Sequence, residues 1–329
     1  MNLTWRQLSA LLVLGMTSAG TAFAGNGRVI STDGWQPASP FTQIPLWPEH
    51  VAIELPKTKG PEQIVDEHKP VAGRPWDSVQ NVTRPTMTVY PPKAANSGTT
   101  IMVFPGGGYR VLAMDLEGTE ICDWVTAKGM TCVLLKYRVP GSGPYWNDDC
   151  NCGLKPRVPM ALQDAQRAMV LLRQQATSLH IDPERIGVIG FSAGGHLVAD
   201  ISNRKGRSYT PVDAADALSA RPDFAIALYP GHLWEREGTK LNPDIRVSAQ
   251  TPPTFLLQAE NDPVDDVRNS ISYYLALKKV DAPVEMHLFA RGGHAFGLRP
   301  NGFPITTEWP VLVEKWLTSI NMLPDTQPR

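Results

Sequence analysis

The chain has 329 residues, of which 42% are hydrophobic and 19% charged, ample apolar material for a buried core. Its 31 basic and 32 acidic residues nearly cancel to a formal net charge of -1, which excludes the basic footprint of a nucleic-acid or polyanion binder.

In chain order, Arg6 precedes an apolar run over 8–16, then small residues and Ala22-Phe23-Ala24. This is the layout of an export signal over 1–24 with cleavage near Ala24, and the run is too short for a membrane anchor. The expectation is an exported protein, periplasmic or secreted, without stable membrane insertion. Residues 25–84 are rich in Pro and turn formers, with Trp35, Trp47 and Trp76 scattered among them and little periodicity. They predict an extended arm laid against the domain.

From 85 to 329 short apolar runs alternate with helical patterns. Strands are expected at 86–90, 100–104, 131–137, 185–190, 224–229, 254–259 and 284–289, and helices at 116–128, 160–179, 267–279 and 307–320. Such alternation implies βαβ units, so this stretch reads as one α/β domain: a mostly parallel, doubly wound sheet with helices on both faces. Four cysteines, Cys122, Cys132, Cys150 and Cys152, can pair in an oxidising compartment, in an order the sequence leaves open. The Cys150-Asn151-Cys152 spacing lacks the second His or Cys cluster that structural zinc requires, so no metal is expected.

The informative run is Gly187-Val188-Ile189-Gly190-Phe191-Ser192-Ala193-Gly194-Gly195-His196. A buried strand feeds directly into a helix through a turn of small residues, and this G-x-S-x-G context leaves Ser192 at a sharp apex. A serine hydroxyl needs a base to take its proton and a carboxylate to orient that base. His294, in the glycine-rich loop after strand 284–289, suits the base. His196 lies one helical turn beyond Ser192, His287 sits inside a strand and His232 follows one, so these fit packing or pocket lining better. Asp262, immediately after strand 254–259, is the favoured acid, with Asp265 its main rival, while Asp265 and Asp266 both also suit the start of the next helix. Gly106-Gly107-Gly108 follow strand 100–104, where backbone amides can approach a bound oxygen, and the amide of Ala193 completes such a hole. No Lys-Ser/Thr follows these glycines, so a phosphate loop is excluded.

With these residues in hand, the sequence resembles the α/β-hydrolase esterases related to hormone-sensitive lipase, and within them the acetyl xylan esterase-like carbohydrate esterases. The resemblance spans Ile44-Pro45-Leu46-Trp47-Pro48, the glycine loop with Tyr109, Leu134-Leu135-Lys136-Tyr137-Arg138, Asp164-Ala165-Gln166-Arg167-Ala168, the serine turn, and Thr251-Pro252-Pro253-Thr254-Phe255. It implies Ser192, Asp262 and His294 as nucleophile, acid and base, and an oxyanion hole from Gly107, Gly108 and Ala193. One departure is Pro105, which stands where relatives of hormone-sensitive lipase have a histidine. The implied substrate is a small ester or acetylated carbohydrate such as acetylated xylan, hydrolysed without a cofactor. Tyr109, Trp146 (beside Tyr145) and Trp234 are candidate sugar contacts, with ordinary packing as the competing explanation for each. A general short-chain carboxylesterase shares the same chemistry. A catalytically silent binding protein on this fold is the reading from another class.

Overall fold

The computed structural model describes residues 27–139 and 158–324, together with the backbone of 146–147 and 152–153. The expected signal segment, Tyr145 and the side chain of Trp146 therefore lie outside the described residues. The strands used below are, in chain order, β1 (Arg28–Ser31), β2 (Ile44–Pro45), β3 (Gln63–Val71), β4 (Arg74–Gln80), β5 (Thr86–Tyr90), β6 (Thr100–Phe104), β7 (Val111–Ala113), β8 (Thr131–Lys136), β9 (Ile186–Phe191), β10 (Ala225–Leu228), β11 (Thr254–Ala259) and β12 (Val284–Phe289). The helices are α1 (Glu120–Ala127), α2 (Pro159–Gln174), α3 (Ala193–Asn203), α4 (Arg268–Lys279) and α5 (Pro304–Ser319).

Eight strands form the central sheet in the order β12-β11-β10-β9-β6-β8-β5-β2. From β12 to β8 every neighbouring pair is parallel, and β5 and β2 add antiparallel pairs at one edge. Strands β6, β8, β9, β10 and β11 are buried at every position. That is why they read as unbroken apolar runs rather than alternations: helices cover both faces. Trp124 of α1 packs edge-on against Trp309 of α5, with ring centroids 5.2 Å apart. The disulfide Cys122–Cys132 ties α1 to β8.

Two differences from the sequence reading bear on function. Residues 25–84 are not simply an extended arm, because β1, β3 and β4 build a second, four-stranded antiparallel sheet whose last member is β7. The β3–β4 turn at Ala72 and Gly73 has positive φ at both positions (50° and 73°), the geometry of a tight hairpin. Ala at the first of these gives no sequence signal, and Pro70 and Pro75 further mask the strands. Between β7 and α1, Asp115–Thr119 form a wide helical turn rather than the start of a regular helix.

The segment carrying Trp47 is fastened to the main sheet by buried charge. Arg138 and Asp164, both fully buried, pair at 2.8 Å, and the Trp47 indole N–H donates to Asp164 Oδ1 at 2.8 Å. Arg167 donates from Nε to the Leu46 carbonyl and pairs with Asp213 and Asp216. Each charge here has several partners, the condition under which a buried ion pair is tolerated.

Candidate active site

Parallel register brings the candidate residues to one edge. Gly190 lies beside Phe104, Phe191 beside Leu228, and Ala259 beside Phe289, so the carboxyl ends of β6, β9, β10, β11 and β12 finish level. The loops that leave these ends carry Gly106–Gly108, Ser192, Tyr229, Asp262 and His294. Ligands of open α/β sheets bind in this position.

Ser192 has φ 53° and ψ -118°, a strained conformation for a residue with a side chain. Close packing makes the strain possible: a Cβ on Gly190 would lie 2.2 Å from the Gly194 carbonyl oxygen, and one on Gly194 would lie 2.1 Å from that of Phe104. The strand can then turn into α3 at once, and Ser192 projects from the apex.

His294 Nε2 lies 3.0 Å from Ser192 Oγ, and His294 Nδ1 lies 2.7 Å from Asp262 Oδ2. With Nδ1–H donating to the carboxylate, Nε2 is left to accept the serine proton. The other oxygen of Asp262 accepts from the backbone N–H groups of Val264 and Asp265, at 2.9 and 3.0 Å. Asn261 straps the histidine loop, its Oδ1 accepting from the amides of Gly292 and Gly293. The His294 and Asp262 side chains are 3% and 0% exposed, so their attraction is little screened by water. Burial alone would disfavour the imidazolium, but Asp262, Asp265 and Glu117 outweigh it and push the His294 pKa up to about 9.

The glycine loop is held from outside itself. Gly106 N–H donates to Glu117 Oε2 at 2.8 Å, and the other oxygen of Glu117 accepts from the Tyr229 hydroxyl at 2.9 Å. That hydroxyl also accepts from Gly297 N–H at 3.2 Å. One buried carboxylate thus links the loop after β6, the loop after β10 and the histidine loop. Burial raises the Glu117 pKa, opposed by His294, the Tyr229 hydroxyl and the Gly106 amide. Carbonyls of the loop are drawn toward β7, since Gly107 O accepts from Arg110 and Val111, and Gly106 O from Ala113. The amides of Gly107 and Gly108 donate no hydrogen bond among the described residues, and Ala193 N–H belongs to the first helical turn, which has no internal acceptor. Gly106 is already engaged, so the amides left without an acceptor here are those of Gly107, Gly108 and Ala193, the three that the sequence offers for an oxyanion.

Of the other sequence candidates, Tyr109 requires correction. It is 1% exposed and turned into the protein, where its hydroxyl meets His196 Nδ1 at 2.7 Å and its ring packs on Tyr137 and His232. So enclosed, it offers no exposed face to a sugar ring. Trp234 is half-buried, with its indole N–H on the Gly238 carbonyl and the Arg268 guanidinium 3.7 Å above its ring, so that face is covered. Burial pushes the pKa of His196 down to about 4 and that of His232 to about 3, so both rings are neutral at neutral pH, and neither is hydrogen-bonded to the Ser192 hydroxyl among the described residues. His287 pairs with Glu285 within β12. The sequence reading passed over Glu117, Tyr229 and Asn261, and saw Asp265 only as a rival acid. No group of three or more His, Cys, Asp or Glu among the described residues could hold a metal ion.

Residues 87–208 match the family model described as BD-FAE. The crystal structure of an acetyl ester-xyloside bifunctional hydrolase from Caldicellulosiruptor lactoaceticus superposes with a TM-score of 0.63 at 30% identity, over 86% of this chain and 97% of that one. The chain belongs to the α/β-hydrolase esterases of the hormone-sensitive-lipase type. An acetylxylan esterase of Xylanibacter ruminicola is 29% identical over 225 residues, 61% of this chain. This esterase-family chain spans only 42% of that relative's length. An ethyl acetate hydrolase of Pseudomonas putida is 25% identical over 250 residues, 65% of this chain and 71% of the relative.

Proposed function

We propose that the protein is an exported serine esterase that removes acetyl or other short acyl groups from plant polysaccharide or its oligosaccharides, such as acetylated xylan. The observation that carries the chemistry is the continuous line from Ser192 Oγ through His294 to Asp262, beside amides free to receive an oxyanion. Ser192 Oγ attacks the ester carbonyl while His294 Nε2 takes its proton, and the carbonyl oxygen gains negative charge facing Gly107, Gly108 and Ala193. The imidazolium, oriented by Asp262, then protonates the departing alcohol oxygen and leaves an acyl-enzyme. Water attacks this ester with His294 again as base, releasing the acid and restoring Ser192.

The carbohydrate part of the reading is supported by the names of two relatives, an acetylxylan esterase and an acetyl ester-xyloside hydrolase. Likeness to the ethyl acetate hydrolase favours a second reading, a general short-chain carboxylesterase. Acetate release from acetylated xylan, measured beside hydrolysis of cyclohexyl acetate, separates the two: turnover of the simple ester alone removes the polysaccharide from the proposal. Covalent labelling by a fluorophosphonate tests the shared chemistry, with the expected adduct on Ser192 and none in Ser192→Ala. Export is tested by the N-terminus of the mature protein, expected at Gly25.

A further inference from the structure

His294 lies between two carboxylates. Asp262 occupies its Nδ1 side, while Asp265 stands on the reacting side, with Oδ2 3.4 Å from Ser192 Oγ and 3.8 Å from His294 Nε2. This position is fixed, not adopted by a loose surface chain. The Asp265 backbone N–H donates to Asp262 Oδ1 and its carbonyl accepts from Gln258, so the main chain is held on both sides. Gly231, whose own N–H donates to the Ser192 carbonyl, presses against the carboxylate so closely that a Cβ there would lie 2.6 and 2.7 Å from its oxygens.

The Asp265 side chain is only 15% exposed, and among the described residues no lysine or arginine pairs with it directly. Among the described residues its only hydroxyl neighbour is Ser192, whose single hydrogen is also within reach of His294. The charge partner of Asp265 is the His294 ring at 3.8 Å, and among the described residues no backbone N–H donates to it, so the carboxylate keeps acceptor capacity that a ligand can use. As Ser192 gives its proton to His294 in the attack on the ester, it ceases to be a donor to Asp265. A group on the substrate can take its place. The alcohol oxygen of the ester must sit where His294 Nε2 can protonate it, which is beside Asp265 Oδ2. A hydroxyl on the adjacent carbon then reaches the carboxylate.

We propose that Asp265 is a specificity-determining residue: its carboxylate accepts a hydrogen bond from a hydroxyl next to the ester on the alcohol part, and so favours esters of polyols and sugars over esters of plain alcohols. The inference rests on the serine-esterase reading above and adds a named residue to its substrate choice. Burial pushes the Asp265 pKa up to about 6, so the acceptor is ionised at neutral and alkaline pH. The same charge disfavours esters that carry an anionic group near the reacting bond.

The test uses the purified chain with two substrates that differ by one hydroxyl, trans-2-hydroxycyclohexyl acetate and cyclohexyl acetate. The readout is the ratio of their kcat/KM values in wild type, D265N and D265A. Wild type is expected to favour the hydroxylated ester by about tenfold or more, the order of a hydrogen bond to a charged group. The ratio should drop by about tenfold in D265A and by less in D265N, which keeps a neutral acceptor. Partial retention by D265N distinguishes recognition from a merely structural role. Fluorophosphonate labelling of each variant shows that the centre is assembled, and D265N serves alone if D265A does not fold. No preference in wild type, or an unchanged ratio in the variants, overturns the inference and leaves the esterase reading standing. Failure of wild type to hydrolyse either ester or to label overturns both.

Discussion

The serine turn and the glycine loop lie side by side at the same sheet edge, yet they are held in place by different means. The turn is fixed by its own backbone: β9 ends, Gly190 and Gly194 come almost into contact, and Ser192 has nowhere else to project. The glycine loop depends on groups outside itself, namely the carboxylate of Glu117, the hydroxyl of Tyr229 far along the chain, and β7 paired to β4 in the second sheet. The candidate nucleophile is therefore largely a local structure, and the candidate oxyanion hole, Ala193 apart, a tertiary one. Substitutions at the turn should act on whether the reaction happens, whereas substitutions around the loop should act on how well charge is received.

The largest effect is expected at the turn. Ser192→Ala should lower kcat by about 10⁶-fold in steady-state ester hydrolysis, the order seen when a triad nucleophile is deleted. Asp262→Asn should follow, with a fall of about 10³- to 10⁴-fold, because an amide can hold His294 in the wrong tautomer. If Asp262→Asn instead retained most activity while Asp265→Asn did not, the two carboxylates flanking His294 would have to exchange roles.

A smaller effect comes from pH. Three carboxylates face His294: Asp262 and Asp265 from the loop after β11, and Glu117 from the turn before α1. Its pKa is raised to about 9, so at neutral pH the free enzyme holds imidazolium, which cannot accept the serine proton. The value of kcat/KM should accordingly rise with pH, about tenfold per unit, and level near pH 9. A profile already flat from pH 7 upward would show that the carboxylates do not hold the proton on the ring.

The same contrast explains what was legible in the sequence. The main sheet is readable because its inner strands are buried on both faces and appear as apolar runs; Ser192 follows β9 at once and Asp262 lies shortly past β11, whereas His294 stands in the loop after the partly exposed edge strand β12. Placement just after β11 favours Asp262 over Asp265, three residues on, and it is Asp262 that His294 Nδ1 meets at 2.7 Å. The supports of the glycine loop are not readable. Glu117 looks like a surface acid at a helix start, and Tyr229 like the end of a core strand. The β3–β4 hairpin is hidden by a turn without Asn-Gly and by two prolines. Tyr109 follows glycines that were expected to meet the substrate, but its positive φ of 55° accompanies a side chain buried against His196.

Glu117→Gln probes the loop directly. Glutamine keeps one carbonyl acceptor for two donors, so either the Gly106 amide or the Tyr229 hydroxyl loses its partner, and kcat should fall about tenfold with little change in KM, in line with the loss of a supporting contact. The substitution also removes one of the charges that raise the His294 pKa, so the rising limb of the pH profile should move to lower pH even as kcat falls. A purely destabilised enzyme would not show these two opposite movements together.

The smallest effect is expected from Tyr229→Phe. Burial and the adjacent Glu117 keep the Tyr229 hydroxyl protonated, so it acts as a donor to Glu117 while accepting from Gly297. Removing it leaves the ring in place, 5.0 Å from the centre of the His294 ring, and takes away only the bridge between the glycine loop and the histidine loop. A loss of about 1 kcal/mol, roughly fivefold in kcat/KM, is the scale of one such hydrogen bond. The double variant with Glu117→Gln sharpens the result. If the bridge transmits the support, the two changes together should cost little more than Glu117→Gln alone, because each breaks the same chain. Additive losses would instead mean that the two loops are held independently, and the oxyanion hole would then be a more local structure than its hydrogen bonds imply.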